Sequence, residues 1–232
     1  MILPDFNLTS RSDQHWMYSG IDSFDRCLDK TWFAQYPYAV EYHFNHRGFR
    51  DDPWPESLDD LRQAIWCIGD SFTVGVGQPF DHIWPRVLAT VTGRRTINIS
   101  MDGASNEWIA RRAKRVINDI SPQHLIVMWS YVHRRENADA SLKDEDRLLF
   151  CDARPDTDSN DDIDNLKLCR SRLSSTTTHV IQAAIPNFCG VESYRLFPDL
   201  MIVRQKDIAR DGHHFDILTA EHFVQGLLTH LQ

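Results

Sequence analysis

No run of apolar residues in this 232-residue chain approaches the roughly 20 needed to cross a bilayer, which excludes an ordinary membrane-spanning helix. The N-terminus, MILPDFNLTSRSDQ, lacks the basic start and apolar core of a signal peptide, so a cytoplasmic location is expected. Basic residues are in the minority, 25 Lys and Arg against 33 Asp and Glu, and the formal charge of -8 argues against nucleic acid as the main partner. The cluster Arg111, Arg112, Lys114 and Arg115 reads as the solvated face of a helix. Cysteine is sparse: Cys27, Cys67, Cys151, Cys169 and Cys189 form an odd set without CxxC spacing. They imply reduced thiols, not a zinc site or a disulfide framework. Nucleotide signatures are missing as well. No Lys follows Gly75 as a phosphate-binding GxxxxGK[ST] loop requires, and Gly75-Val76-Gly77 is followed by Gln78-Pro79-Phe80 and not by the remainder of GxGxxG.

What is present is a βα rhythm beginning near residue 64. AIWCIG (64–69), TINIS (96–100), HLIVMW (124–129), THVIQAAIP (178–186) and the weaker LMIV (200–203) read as short buried strands. Between and after them, HIWPRVLATVTG, NEWIARRAKRVINDI, DIDNLKLCRSRL and the stretch from 218 to 231 have helical apolar spacing. Strands alternating with helices need crossover connections. The expected fold is therefore α/β: a three-layer α/β/α sandwich around a mostly parallel, doubly wound, five-stranded sheet. Residues 1–60 stand outside this rhythm and are expected to form an N-terminal extension packed on a domain of residues 61–232. Within the extension YAVEYHFN (38–45) alternates like a strand with Val40, Tyr42 and Phe44 on one face. Arg47 and Arg50 in the following loop are expected to be exposed beside a packed Phe49. The acidic segment 138–162 lacks the glycine and terminal Glu of a calcium loop and is expected to be an exposed, mobile loop.

Ligands of an open parallel sheet bind beyond the carboxyl ends of its strands, where loops converge and helix N-termini present free N–H groups. Ser71 occupies such a position in IWCIGDSFTVGVG, at the end of the first core strand. A serine there is either a helix cap or a nucleophile. The hydrolase elbow GxSxG is absent, because Phe72-Thr73 stands where its second glycine would be.

The block IGDSFTVGVG resembles the first motif of the SGNH (GDSL-type) hydrolases, and two further blocks follow in that family's order: Gly103 in INISMDGAS, and Asp211-Gly212-His213-His214 before the last helix. The resemblance spans about residues 64–232 and implies the flavodoxin-like fold of that family and a serine esterase acting on a carboxylic ester, such as an O-acylated carbohydrate or a small acyl ester. It further implies Ser71 as nucleophile, His214 as base and Asp211 as its orienting partner, with the backbone N–H groups of Ser71 and Gly103 in the oxyanion hole. The third block departs. Where the family has Gly-x-Asn, this chain reads VMWSYVHRREN, with Val132 at the position of the asparagine, so Ser130, Asn106 or Arg134 is the candidate for the third donor. Asp70 and Arg134 are further candidates for substrate contact. No cofactor and no metal site are expected: Asp211, His213, His214 and Asp216 could be imagined as a metal cluster, but no HExxH or second ligand group accompanies them. Two other activities fit the same residues, acyl transfer to a hydroxyl and, because of the altered third block, a catalytically impaired carbohydrate-binding or assembly module. The sequence carries no indication of oligomeric state.

Overall fold

The computed structural model describes residues 6–137, 139, 148–149, 159–175 and 177–231. In chain order the elements are β1 (His15–Trp16), α1 (Lys30–Gln35), β2 (Tyr42–His43), α2 (Leu58–Gln63), β3 (Ile65–Ile68), α3 (Ser71–Val74), α4 (Trp84–Thr92) and β4 (Thr96–Asn98). There follow α5 (Asn106–Asp119), β5 (His124–Trp129), β6 (Arg135–Glu136), β7 (Leu148–Leu149), α6 (Asn160–Ser171), β8 (His179–Ala184), β9 (Met201–Ile202) and α7 (Ile217–Leu228).

The apolar runs become the central sheet. All four residues of β3 are buried, as are five of the six in β5, because a parallel strand covered on both faces has no side that meets water. The strand order is β4-β3-β5-β8-β9 and every pairing is parallel, so the sheet is parallel throughout. Helix α4 lies against α7 and α5 against α6. Right-handed crossovers put one pair on each face, which completes three layers. The helices start on side-chain caps: Ser105 Oγ accepts from the Trp108 N–H at 3.2 Å for α5, and Ser159 and Asp162 form a reciprocal capping box for α6. In this order the direction of winding reverses between β3 and β5, and the crevice beyond their carboxyl ends is the switch point at which such sheets bind ligands.

The N-terminal residues are organised differently. Phe6, Leu8, Phe49 and Trp54 join the main core, whereas Val40, Tyr42 and Phe44 form a small cluster of their own with Trp16 and Tyr36. The alternation expected over residues 38–45 holds in burial from 39 to 44, and only Tyr42–His43 pairs as a strand, antiparallel to β1. Arg112, expected on a solvated face, is buried with its guanidinium over the rings of Trp108 and Phe6. Part of the acidic segment 138–162 lies outside the described residues; its end, Ser159–Asp162, is the capped start of α6 and not loop. Cys27, Cys67 and Cys169 are free thiols, and Cys151 lies outside the described residues. Among the described residues no helix is long and apolar enough to cross a membrane.

Candidate active site

Strand β3 ends at Ile68, and the turn that follows is built by close backbone approach. A Cβ on Gly69 would lie 2.2 Å from Thr73 Oγ1 and 3.0 Å from the Met128 carbonyl oxygen, so only glycine fits. Asp70 then caps α3, its carboxylate accepting from the Phe72 N–H at 3.1 Å. Ser71 is therefore the first residue of the helix, one position past the cap. Its own N–H has no acceptor among the described residues. The helix stops after one turn at Gly75, whose φ of 78° is left-handed.

The loop that precedes α7 approaches Ser71 from the far end of the chain. His214 Nε2 lies 2.7 Å from Ser71 Oγ, within hydrogen-bond reach. The other ring nitrogen, Nδ1, is hydrogen-bonded to Asp211 Oδ2, while Asp211 Oδ1 accepts from the backbone N–H groups of His213 (2.9 Å) and His214 (3.0 Å). Ser71, Asp211 and His214 are all buried. Burial opposes ionisation of Asp211, but the charge and hydrogen bond of His214 and the two backbone donors outweigh it and hold the carboxyl below its usual range. Burial likewise disfavours the His214 imidazolium. The charge and hydrogen bond of Asp211, with smaller contributions from Asp102 and Asp70, reverse this and raise the histidine above its ordinary value. A hydroxyl, an imidazole and a carboxylate are thus linked in series, the arrangement that moves a proton off a serine.

Gly103 follows β4 in a turn with φ of 76°. The Met101 N–H donates to the Gly69 carbonyl at 3.3 Å, which ties this turn to the one preceding Ser71. The Gly103 N–H has no acceptor among the described residues. The proposed third donors are placed otherwise. Asn106 accepts from the Ser130 N–H at 2.9 Å and donates to the carbonyls of Ser130 and Tyr131, both at 3.2 Å, so its amide braces the end of β5 and has no donor left for an oxyanion. Ser130 Oγ donates to Asp70 at 2.6 Å and accepts from Arg134 Nη1, so its hydroxyl proton is already placed. Asp70 is fully buried. Its carboxylate is shared among Phe72 N–H, Ser130 Oγ and Arg134 Nη1 (3.0 Å), which hold it within the turn. Val132 is a buried core residue whose N–H donates to Phe188. Arg134, with its side chain 23% exposed, keeps Nε and Nη2 free of protein acceptors among the described residues and lies over the Tyr131 ring.

Much of what holds this arrangement comes from the N-terminal 60 residues, and sequence reasoning missed it. Arg50 is not exposed but fully buried. It donates to the carbonyls of Gly75 (2.5 Å), Gln78 (2.8 Å), Glu41 (2.8 Å) and, more weakly, Val74 (3.3 Å), with its guanidinium 4.3 Å from the Tyr42 ring. Tyr42 Oη accepts from the Gly77 N–H at 2.7 Å and donates to Asp22, which also pairs with Arg210 just before Asp211. Trp32 Nε1 donates to the Ala209 carbonyl and the Leu28 N–H to that of Asp211. One network therefore grips both the loop after Ser71 and the loop that carries Asp211 and His214. The only sequence trace of it was the inward phase of Tyr42. Burial makes Phe72 a wall of the site, its ring 4.5 Å from that of His214, and the Tyr131 hydroxyl lies 3.3 Å from His213 Nε2. Asp216 is occupied by the Tyr36 hydroxyl (2.7 and 2.8 Å), and these residues do not converge as metal ligands among the described residues.

No family model matches the sequence, and no curated protein does. Among solved structures, a lipolytic protein of the G-D-S-L family from Desulfitobacterium hafniense DCB-2 is similar over 72% of this chain and 99% of its own, at 13% identity and a TM-score of 0.47. A family two carbohydrate esterase from Clostridium thermocellum, solved in complex with cellohexaose, is similar over 82% of this chain and 68% of its own, at 13% identity and a TM-score of 0.43. The esterase EstA from Pseudoalteromonas sp. is similar over 72% and 94%, at 16% identity and a TM-score of 0.39.

Proposed function

We propose that the protein is a serine hydrolase of the SGNH type that cleaves a carboxylic ester through an acyl-enzyme on Ser71. The observation that carries this reading is the buried series Ser71 Oγ, His214, Asp211, joined by hydrogen bonds. A serine hydroxyl is a weak nucleophile until a base removes its proton, and His214 Nε2 is in reach to do so as Oγ attacks the acyl carbonyl. Asp211 fixes the ring with Nδ1 protonated and stabilises the imidazolium that forms. The carbonyl oxygen becomes an oxyanion, for which the N–H groups of Ser71 and Gly103 are the donors; loss of one such donor typically costs about 3 kcal/mol. His214 then gives its proton to the departing alcohol. Water, deprotonated by the same imidazole, releases the acid and restores Ser71.

Arg134 is the remaining candidate for a third anion-stabilising group and for contact with the substrate, because Asn106 and Ser130 are committed to other bonds. The substrate class proposed is an O-acylated carbohydrate or a small acyl ester. Turnover of p-nitrophenyl acetate, acetylated sugars and longer acyl esters, by wild type and Ser71→Ala side by side, tests both levels. Hydrolysis that is lost in the variant is expected. Activity unaffected by the substitution overturns the nucleophile assignment, and an inert wild type across the panel favours a binding role.

A further inference from the structure

The antiparallel ladder of β1 and β2 is only two residues long, and its two faces are unlike. Trp16 and Tyr42 face inward onto the small N-terminal cluster. On the outer face His15 stands directly across from His43, and Glu41, two residues before His43, shares that face by the period of the strand. The two imidazoles are stacked, with centroids 4.0 Å apart and planes 12° from parallel. Both turn Nε2 toward the same carboxylate oxygen: Glu41 Oε2 is 3.5 Å from His15 and 3.1 Å from His43. The three ligand atoms lie within 4.8 Å of one another. All three side chains are about half exposed or more, so an ion has an open path.

We propose that His15, Glu41 and His43 bind a divalent first-row transition metal ion, zinc being the best match. Tetrahedral zinc with bonds of about 2.0–2.2 Å separates neighbouring ligand atoms by roughly 3.3–3.6 Å. The two Nε2 to Oε2 distances bracket the lower end of that range, and the stacked rings would tilt from parallel to bring both Nε2 lone pairs onto one ion. Two imidazoles and a carboxylate suit zinc, copper or nickel and disfavour magnesium or calcium, which prefer oxygen alone. Water fills the remaining position on the solvent side. No linear motif announces the site, because His15 reaches Glu41 and His43 only through cross-strand register.

The ion would cross-link the ladder at a point that matters to the rest of the protein. The Glu41 carbonyl accepts from Arg50, and Tyr42, between Glu41 and His43, holds the Gly77 N–H. A ligand that binds the folded chain and not the unfolded one stabilises the fold by mass action, so the melting temperature should rise with free zinc and fall back on chelation. This inference is independent of the ester-hydrolase reading.

The test is calorimetric titration of the whole chain with Zn2+, together with Co2+ absorption spectra and thermal melts. His15→Ala with His43→Ala, Glu41→Gln, and His222→Ala at an exposed histidine elsewhere serve as variants. One ion per chain is expected in wild type and in His222→Ala. The double histidine variant should bind at least about tenfold more weakly, with its zinc-dependent melting shift lost, and Glu41→Gln should fall between. The ligands are exposed, so the apo variants should melt close to wild type and report on binding alone. Absence of zinc binding in wild type, or equal binding by the double variant, overturns the proposal.

Discussion

Replacing Arg50 by Met should destabilise the protein by about 3–5 kcal/mol. The guanidinium is fully buried and, among the described residues, pairs with no carboxylate; burial pulls its pKa down to about 10, so it still carries its charge at neutral pH. That charge is spread over the carbonyls of Gly75, Gln78 and Glu41, with the face of Tyr42 beside it. Hydrogen bonds to charged groups contribute roughly 1.5–3 kcal/mol each, which for three good bonds would reach about 4.5–9 kcal/mol. Methionine removes the cost of burying the charge at the same time, and the net of about 3–5 kcal/mol reflects three buried carbonyls left without a donor, at roughly 1–3 kcal/mol each, less that relieved cost. At about 2–4 °C per kcal/mol for a chain of this size, the melting temperature should drop by about 6–20 °C. Thermal and urea unfolding followed by circular dichroism measure this directly. Because the Gly75 and Gln78 carbonyls belong to the loop that follows Ser71, ester turnover measured well below the melting point should fall as well. Arg50→Lys, which keeps the charge but not the fork of donors, should lie between the two. A loss below about 1 kcal/mol for Arg50→Met would refute the clamp.

Two further outcomes are expected. The kcat/KM for ester hydrolysis should decline as pH falls through a midpoint above 6.5: His214 must be neutral to accept a proton, and Asp211 raises its pKa despite burial, so a pH–rate profile with an acid-side midpoint below the ordinary histidine value would contradict the Asp211 contact. Asp70→Ala removes the α3 cap and leaves Arg134 and Ser130 without their buried acceptor, so unfolding in urea should show a loss of roughly 2–4 kcal/mol; a change within about 0.5 kcal/mol would mean that Asp70 does not organise the turn.

The central sheet was legible because its signal is local. AIWCIG and HLIVMW are buried on both faces, and an apolar run this short, bounded by polar residues, fits a covered strand better than a helix; the bounds of β5 agree residue for residue with the expectation. The glycine that ends HIWPRVLATVTG, Gly93, is the C-cap of α4. The spatial meeting of Ser71 with Asp211 and His214 was suggested by the ordered motif blocks, since nothing in local periodicity links positions 143 residues apart. Other features had no such trace. The one-turn helix α3 is too short for a periodic pattern and exists because Asp70 caps it and Gly75 ends it. Arg50 looked like a surface arginine because arginine usually is one; only the convergence of four carbonyls in three dimensions makes its burial favourable. Asn106 and Ser130 were proposed from proximity to strand ends, and proximity does not reveal that their hydrogen-bonding capacity is already used.

The central claim is that Ser71 is a nucleophile activated by His214. Treating the native protein with a fluorophosphonate, then measuring intact mass and mapping the labelled peptide, tests it most directly, because such reagents trap an activated serine covalently. One adduct per chain, located on Ser71, lost in Ser71→Ala and strongly slowed in His214→Ala, is the expected result. Labelling of another serine, or an unlabelled Ser71 in a preparation that hydrolyses esters, would contradict it.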